Sequence, residues 1–259
     1  MQKLLCQGSV FEFRKETEKI RDATWQVAKV PKDLEDRKVE ITGPPDRKMM
    51  IHAMNSGAAV FMADLEDACS PHWKNILEGH KNLQDLVRRQ IDFKAKNGKE
   101  YKLKERTATL IVRPRGWHLN ENHLKLSTHL VSASLFDFSL YLFHAHKKLK
   151  ENGSGVYFYL PKLENYLEAR LWAEVIEAAR QYLGINRDLI KTTVLIETIG
   201  AAFDIEEILY ELKDTIVGMN AGRWDYIFSI IKKFHFSPNF ILPDREQVTM
   251  KASFMRAYC

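Results

Sequence analysis

Two acids stand just beyond two short apolar runs. Glu197 follows residues 193–196 directly, and Asp225 follows residues 215–219 after the turn Asn220-Ala221-Gly222-Arg223-Trp224. Each run is too short for a helix and reads as a buried parallel strand. Between them Phe203, Ile205, Ile208, Leu209 and Leu212 recur at helical spacing, so the segment reads strand, helix, strand, with both acids leaving carboxyl ends. Two carboxylates on neighbouring strands suit a hard divalent cation with open water positions, Mg²⁺ by preference. The plainer alternative makes Glu197 a helix cap and Asp225 a solvated loop acid. A cation held there can chelate adjacent carbonyl and carboxylate oxygens and polarise the carbonyl. Arg115, fixed between Pro114 and Gly116, is expected to supply donors to the oxygen on which negative charge grows, with a surface salt bridge as its alternative. Together these groups suit addition of a carbon nucleophile to a small 2-oxo acid. Glu66 and Asp67 are expected to orient Arg115 or metal-bound water, or else to cap a helix. Arg113 reads as a structural ion pair.

The elements that must hold these residues alternate between strand and helix. Residues 1–38 are polar and weakly periodic, with Trp25, Val27 and Val30 as packing points, and read as an arm laid over the body. Strands are predicted at 39–42, 58–63, 109–112, 156–160, 193–196 and 215–219. A helix is expected between the first two, from the prolines at 44 and 45 to the stop at 55–57. Asn82 with Asp85 suggests a cap for a helix reaching Ile91, and Ser134 with Asp137 a capping box. Asn165 opens an amphipathic helix that ends at Gly184. The basic stretch at 91–106 carries Asn97-Gly98 and reads as an inserted hairpin. The alternation predicts an α/β fold, a (β/α)₈ barrel over 39–259 that is incomplete, with about six of its eight strands. An open doubly wound sheet is weaker, because no glycine-rich phosphate loop follows the first strand. Every candidate group lies just past a strand end, the active face of such a barrel.

The chain has 259 residues, 45% hydrophobic and 28% charged, enough for a substantial core. Its 39 Lys and Arg are spread among 34 acids, so the net charge of +5 leaves no nucleic-acid footprint. No run reaches the roughly 18 apolar residues of a membrane span, and the first residues lack a signal-peptide core. Cys6, Cys69 and Cys259 are widely spaced, which argues against a disulfide framework or a zinc site.

Eight segments carry a resemblance: IRDATWQVA (20–28), DLEDRKVEITGP (33–44), VFMADLEDACSPHW (60–73), VRPRGWHL (112–119), SLFDFSLYLFH (134–144), YFYLPKLE (157–164), LIET (195–198) and GRWDYIFS (222–229). In this order they resemble malate synthase of the shorter, A-type class. The resemblance implies a TIM-barrel acyltransferase that condenses glyoxylate with acetyl-CoA and water to give malate and CoA, using Mg²⁺, in the glyoxylate cycle. It also implies that Glu197 and Asp225 hold Mg²⁺, that Arg115 is the catalytic arginine, and that the backbone around Gly222, Trp224 and Asp225 helps hold glyoxylate. Against the family pattern, the chain is expected to stop before the last two barrel strands and the carboxy-terminal domain, which carries the aspartate base. A general base is worth about 10² to 10⁴ in rate. The competing expectation is therefore a catalytically silent chain that binds Mg²⁺ and a 2-oxo acid or acts as an interaction partner. A citryl-CoA lyase or 2-oxo-acid aldolase is a third reading. The expected compartment is cytoplasmic or peroxisomal, although Arg256-Ala257-Tyr258-Cys259 is not an SKL-type ending.

Overall fold

The protein was analysed as a computed structural model that describes residues 11–259. Cys6 and the first residues, read above for a signal-peptide core, lie outside the described residues. The chain passes through a one-turn helix α1 (Glu18–Arg21), strand β1 (Glu40–Gly43), α2 (Arg47–Met54), β2 (Val60–Asp64) and α3 (Trp73–Val87). A hairpin of β3 (Asp92–Lys94) and β4 (Glu100–Lys102) precedes β5 (Thr109–Arg113), and a second hairpin of β6 (Asn120–Leu126) and β7 (His129–Ser132) follows it. Then come α4 (Ala133–Glu151), β8 (Val156–Leu160), α5 (Tyr166–Leu183), β9 (Ile190–Ile196), α6 (Ile199–Phe203), α7 (Ile205–Glu211), β10 (Ile216–Ala221), α8 (Arg223–Phe234) and α9 (Ser253–Tyr258).

Six strands form one parallel sheet in the order β1-β2-β5-β8-β9-β10, a partial TIM barrel with helices on its outer side. Strand alternation sorts the side chains onto two faces. Phe61, Ala63, Leu110, Val112, Phe158, Leu160, Val194 and Ile196 pack against the helices in the main core. Val60, Met62, Ile111, Tyr157, Tyr159 and Leu195 make a second cluster on the opposite face. Asp64 and Arg113, partners in the β2–β5 register, continue the rows of Met62 and Ile111, and Glu197 continues that of Leu195. The acids and one arginine are thereby delivered to the carboxyl rim of the inner face.

The segment before β1 is fastened to this body at several points. Leu34 is buried in the inner-face cluster, and Asp33 accepts hydrogen bonds from Ser154 Oγ (2.6 Å) and Tyr157 Oη (2.8 Å). Arg14 pairs with Asp204 at 2.9 Å, while Arg21 and Thr17 hold the buried Glu207. Trp25 packs edge-on to Tyr210 as a packing point should, whereas Val27 is exposed.

Three local expectations change, and one hairpin is unforeseen. Asn82 and Asp85 lie in the last turns of α3, where both accept from Arg47 and neither caps a helix. Asp137 sits fully buried within α4, bound to Arg115 and His80. The β6–β7 hairpin had no turn signal, because its tight turn puts Ser127 at φ 57° without a glycine. Asp204, at φ −116° and ψ 22°, breaks the expected single helix into α6 and α7. Asn165 and Gly184 act as read: the asparagine caps α5 through Leu167 and Glu168 N–H, and the glycine ends it at φ 63°.

Candidate active site

The rim carries an interlocked set of charges. Asp64 accepts from the backbone N–H groups of Glu66, Asp67 and Ala68, and this turn throws Glu66 and Asp67 back over the strand ends. Arg113 donates to Glu66 from Nε (3.0 Å) and Nη2 (2.6 Å), and Nη2 also reaches Asp67. Lys162, two residues past β8, donates from Nζ to Glu66 (3.0 Å) and Asp67 (2.9 Å), and lies 3.4 Å from Asp225. Its backbone N–H donates to Glu197 Oε1 at 2.8 Å. One residue thus touches Glu66, Asp67, Glu197 and Asp225.

Glu197 is 1% exposed, and burial pushes its carboxyl up to about 8, with Asp225 adding to the rise and Arg113 and Lys162 opposing it. Burial alone would also raise Asp67, but Arg113 and Lys162 hold it below the ordinary carboxylate range. Lys162 is raised: burial works against its charge, and the Glu66 and Glu197 carboxylates outweigh that. Gly222 makes room for this packing, because a Cβ there would stand 2.7 Å from both Glu197 Cβ and Oε2. Asp225 lies in the first turn of α8, a helix whose start has no side-chain cap. Beside these groups is a cavity of about 320 Å³ lined by Lys162, Glu197, Asp225, Trp117, His118 and Phe228. The largest cavity described, about 690 Å³, lies instead between Arg37, Glu40 and the outer strand β10, away from the rim acids.

Placement of the expected site residues is uneven. Glu197, Asp225, Glu66, Asp67 and Gly222 come together. Trp224 is near but turned outward, 42% exposed, with the Arg223 and Arg245 guanidinium groups over its ring at 4.4 and 4.9 Å. Arg115 does not join them. Its Nε and Nη2 donate to Asp137 (2.8 and 2.9 Å) and its Nη1 to Glu121 (2.8 Å), which uses every guanidinium nitrogen. The physical reason is Pro114, which ends the strand after Arg113, so that Arg115 turns away from the inner face toward α4. Arg113, read as a structural ion pair, is the arginine whose charge acts on Glu197, and its Nη1 makes no hydrogen bond among the described residues. Lys162 was missed, although it obeys the same rule of lying just past a strand end.

The donor chemistry fits a hard cation. Glu197 and Asp225 offer two carboxylates, and no group of three or more metal-ligating side chains occurs among the described residues. Mg²⁺ characteristically takes one or two protein carboxylates and completes its shell with water and substrate.

A parallel partial barrel with acids, a lysine and an arginine gathered past its strand ends defines a TIM-barrel domain whose polar chemistry sits at the carboxyl rim. A family model described as "Malate synthase, TIM barrel domain" matches residues 109–259. The chain belongs to the malate synthase family. It is 54% identical over 251 residues to "Malate synthase" of Myxococcus xanthus (strain DK1622), covering 97% of this chain and 46% of that protein. It is 54% identical over 237 residues to "Malate synthase" of Dictyostelium discoideum, covering 92% and 44%. "Malate synthase, glyoxysomal" of Candida tropicalis is 50% identical over 262 residues, covering 99% and 47%. The chain therefore spans a little under half the length of these curated relatives. Among the described residues, no helix is long and apolar enough to cross a membrane.

Proposed function

We propose that this chain supplies the metal-binding and electrophile-binding half of a malate synthase site, for the condensation of glyoxylate with acetyl-CoA and water to malate and CoA. The observation that carries the reading is the meeting of Glu197 and Asp225, from adjacent strand ends, beside a cavity at the carboxyl rim. Glu197 and Asp225 would hold Mg²⁺. Bound there, the ion would polarise the glyoxylate carbonyl and offset the like charges of the two acids.

The rest is done by the chain's own groups. The uncapped start of α8, at Arg223 and Trp224, offers N–H donors and a positive helix end to a carboxylate beside Gly222, whose own N–H is held by Ile196 O at 3.3 Å. Arg113, with an uncommitted Nη1 on the inner face, is assigned the role first expected of Arg115: holding the oxygen that gains negative charge. Glu66 and Asp67 keep that guanidinium in plane. Arg115 is assigned to the architecture of the β5 end. The compartment we propose is cytoplasmic or peroxisomal, the latter by analogy with the glyoxysomal relative.

The test is calorimetric titration of the 259-residue chain with glyoxylate, with and without Mg²⁺, followed by an assay of glyoxylate-dependent thiol release from acetyl-CoA. Binding that needs Mg²⁺ and is lost in Asp225→Asn supports the assignment. Glyoxylate binding indifferent to Mg²⁺ would overturn it.

A further inference from the structure

Lys162 has a backbone that its side chain does not explain. It lies at φ 51°, in the left-handed region that a non-glycine residue occupies only when its surroundings hold it there. Two anchors do so. The amide N–H is tied to Glu197 Oε1 at 2.8 Å, and the ammonium is tied to Glu66 at 3.0 Å and Asp67 at 2.9 Å, with Asp225 at 3.4 Å. The left-handed turn brings the main-chain donor of one residue onto Glu197 and its side-chain charge onto Glu66, Asp67 and Asp225, different members of one cluster.

The ammonium is therefore among the carboxylates that the proposed function gives to a metal. The Glu66 side chain and the whole of Glu197 are almost wholly buried, and carboxylates gathered in such a place repel one another unless cations stand between them. Arg113 serves Glu66 and Asp67, and among the described residues Lys162 alone reaches from these acids across to Asp225. We propose that Lys162 is a built-in counter-cation. Its ammonium holds the rim acids together while no metal is bound, and it gives up Asp225, keeping Glu66 and Asp67, when Mg²⁺ is taken up. Lys162 is a positioning residue in this scheme: it sets the resting geometry of Glu197 and Asp225 and competes for their charge. The inference rests on the assignment of those two acids to Mg²⁺.

The sign of one substitution decides it. Lys162→Met keeps the Cβ, the backbone N–H and much of the side-chain volume, and removes only the charge. Calorimetric Mg²⁺ titrations and thermal melts of the 259-residue chain are the readouts. Without metal, Lys162→Met melts below the wild type, because its acids have lost a neutralising partner. With metal, it binds Mg²⁺ at least about tenfold more tightly, because a competing cation has gone. Lys162→Arg returns both quantities toward the wild type. A residue with a merely structural role would weaken both stability and Mg²⁺ affinity.

Affinity in Lys162→Met equal to or weaker than wild type overturns the proposal, as does an unchanged metal-free melting temperature. Should Lys162→Met be unfolded without metal, folding on addition of Mg²⁺ supports the proposal, and failure to fold at saturating Mg²⁺ overturns it. A wild-type chain that binds no Mg²⁺ overturns the metal assignment and this inference together. A wild type that binds, with a variant that binds no better, overturns this inference alone.

Discussion

Arg113 and Arg115 are two residues apart on the same strand end, yet their surroundings separate two uses of one side chain. Arg115 is enclosed: Asp137 and Glu121 engage all three of its nitrogens, and His80 adds a hydrogen bond to Asp137 at 3.1 Å. Arg113 is tied to Glu66 and Asp67, with Asp64 3.6 Å from its Nε and Glu197 in its field, and its Nη1 makes no hydrogen bond among the described residues. A saturated buried ion cluster cannot stabilise a new charge without first breaking, so it belongs to architecture. A cluster with a spare donor and acids partly open to solvent can change partners. Under the proposed function, satisfaction, more than residue type or rim position, is what assigns one arginine to the reaction and the other to its support.

The comparison can be broken by weakening each side in turn. The largest effect is expected at the saturated cluster. Asp137→Asn leaves Arg115 and Glu121 in poorly matched burial and should cost about 3–5 kcal/mol in urea unfolding. The pH dependence follows from the same residue. Burial alone would raise the Asp137 carboxyl, but Arg115 and His80 hold it below the ordinary range. Its contribution is therefore complete above the unfolded value of about 3.9 and is lost as pH falls through the lower folded value. Unfolding measured between pH 2 and pH 6 should show this acid limb in the wild type and a flatter one in Asp137→Asn.

A smaller loss, of a different kind, is expected at the open cluster. Arg113→Met should cost about 1.5–3 kcal/mol in Mg²⁺-dependent glyoxylate binding, the range for a hydrogen bond to a charged group. The matching Arg115→Met should instead show its loss mainly in unfolding. If Arg115→Met lowered glyoxylate affinity at unchanged stability, the two roles would be reversed. The smallest effect is expected at Gly222→Ala, whose methyl would push on Glu197 from 2.7 Å. Overpacking of this kind costs about 1–3 kcal/mol. Its lower end applies here because the carboxyl group can swing, and a weakened Mg²⁺ titration should accompany the lower melting temperature.

Much of this was legible in residue order. The strand segments carrying Glu197 and Asp225 and the turn holding Glu66 and Asp67 follow from short apolar runs that end in acids. The choice between the arginines was not legible, because VRPRG offers two and its proline interrupts the alternation at the decisive place. Counting from Ile111 would have put Arg113 on the inner face, but only once Ile111 was known to point inward. Lys162 escaped notice because a lysine past a strand end looks like solvated charge until its left-handed backbone is seen. Asp137 was misread for a related reason: three residues after a serine it imitates a cap, and only the fold brings Arg115 to it.

In the parallel sheet each strand pairs with the strand laid down before it, so the order of pairing repeats the order of synthesis. A nascent chain leaving the ribosome can add one strand and its covering helix at a time, without a distant partner to wait for. The segment before β1 does wait for distant partners, and its widest-spanning hydrogen bonds among the described residues form the clasp of Arg14 and Thr17 on Asp204 and Glu207, 190 residues apart. That clasp can close only after α7 has emerged, which makes it a late fastening on a body already assembled.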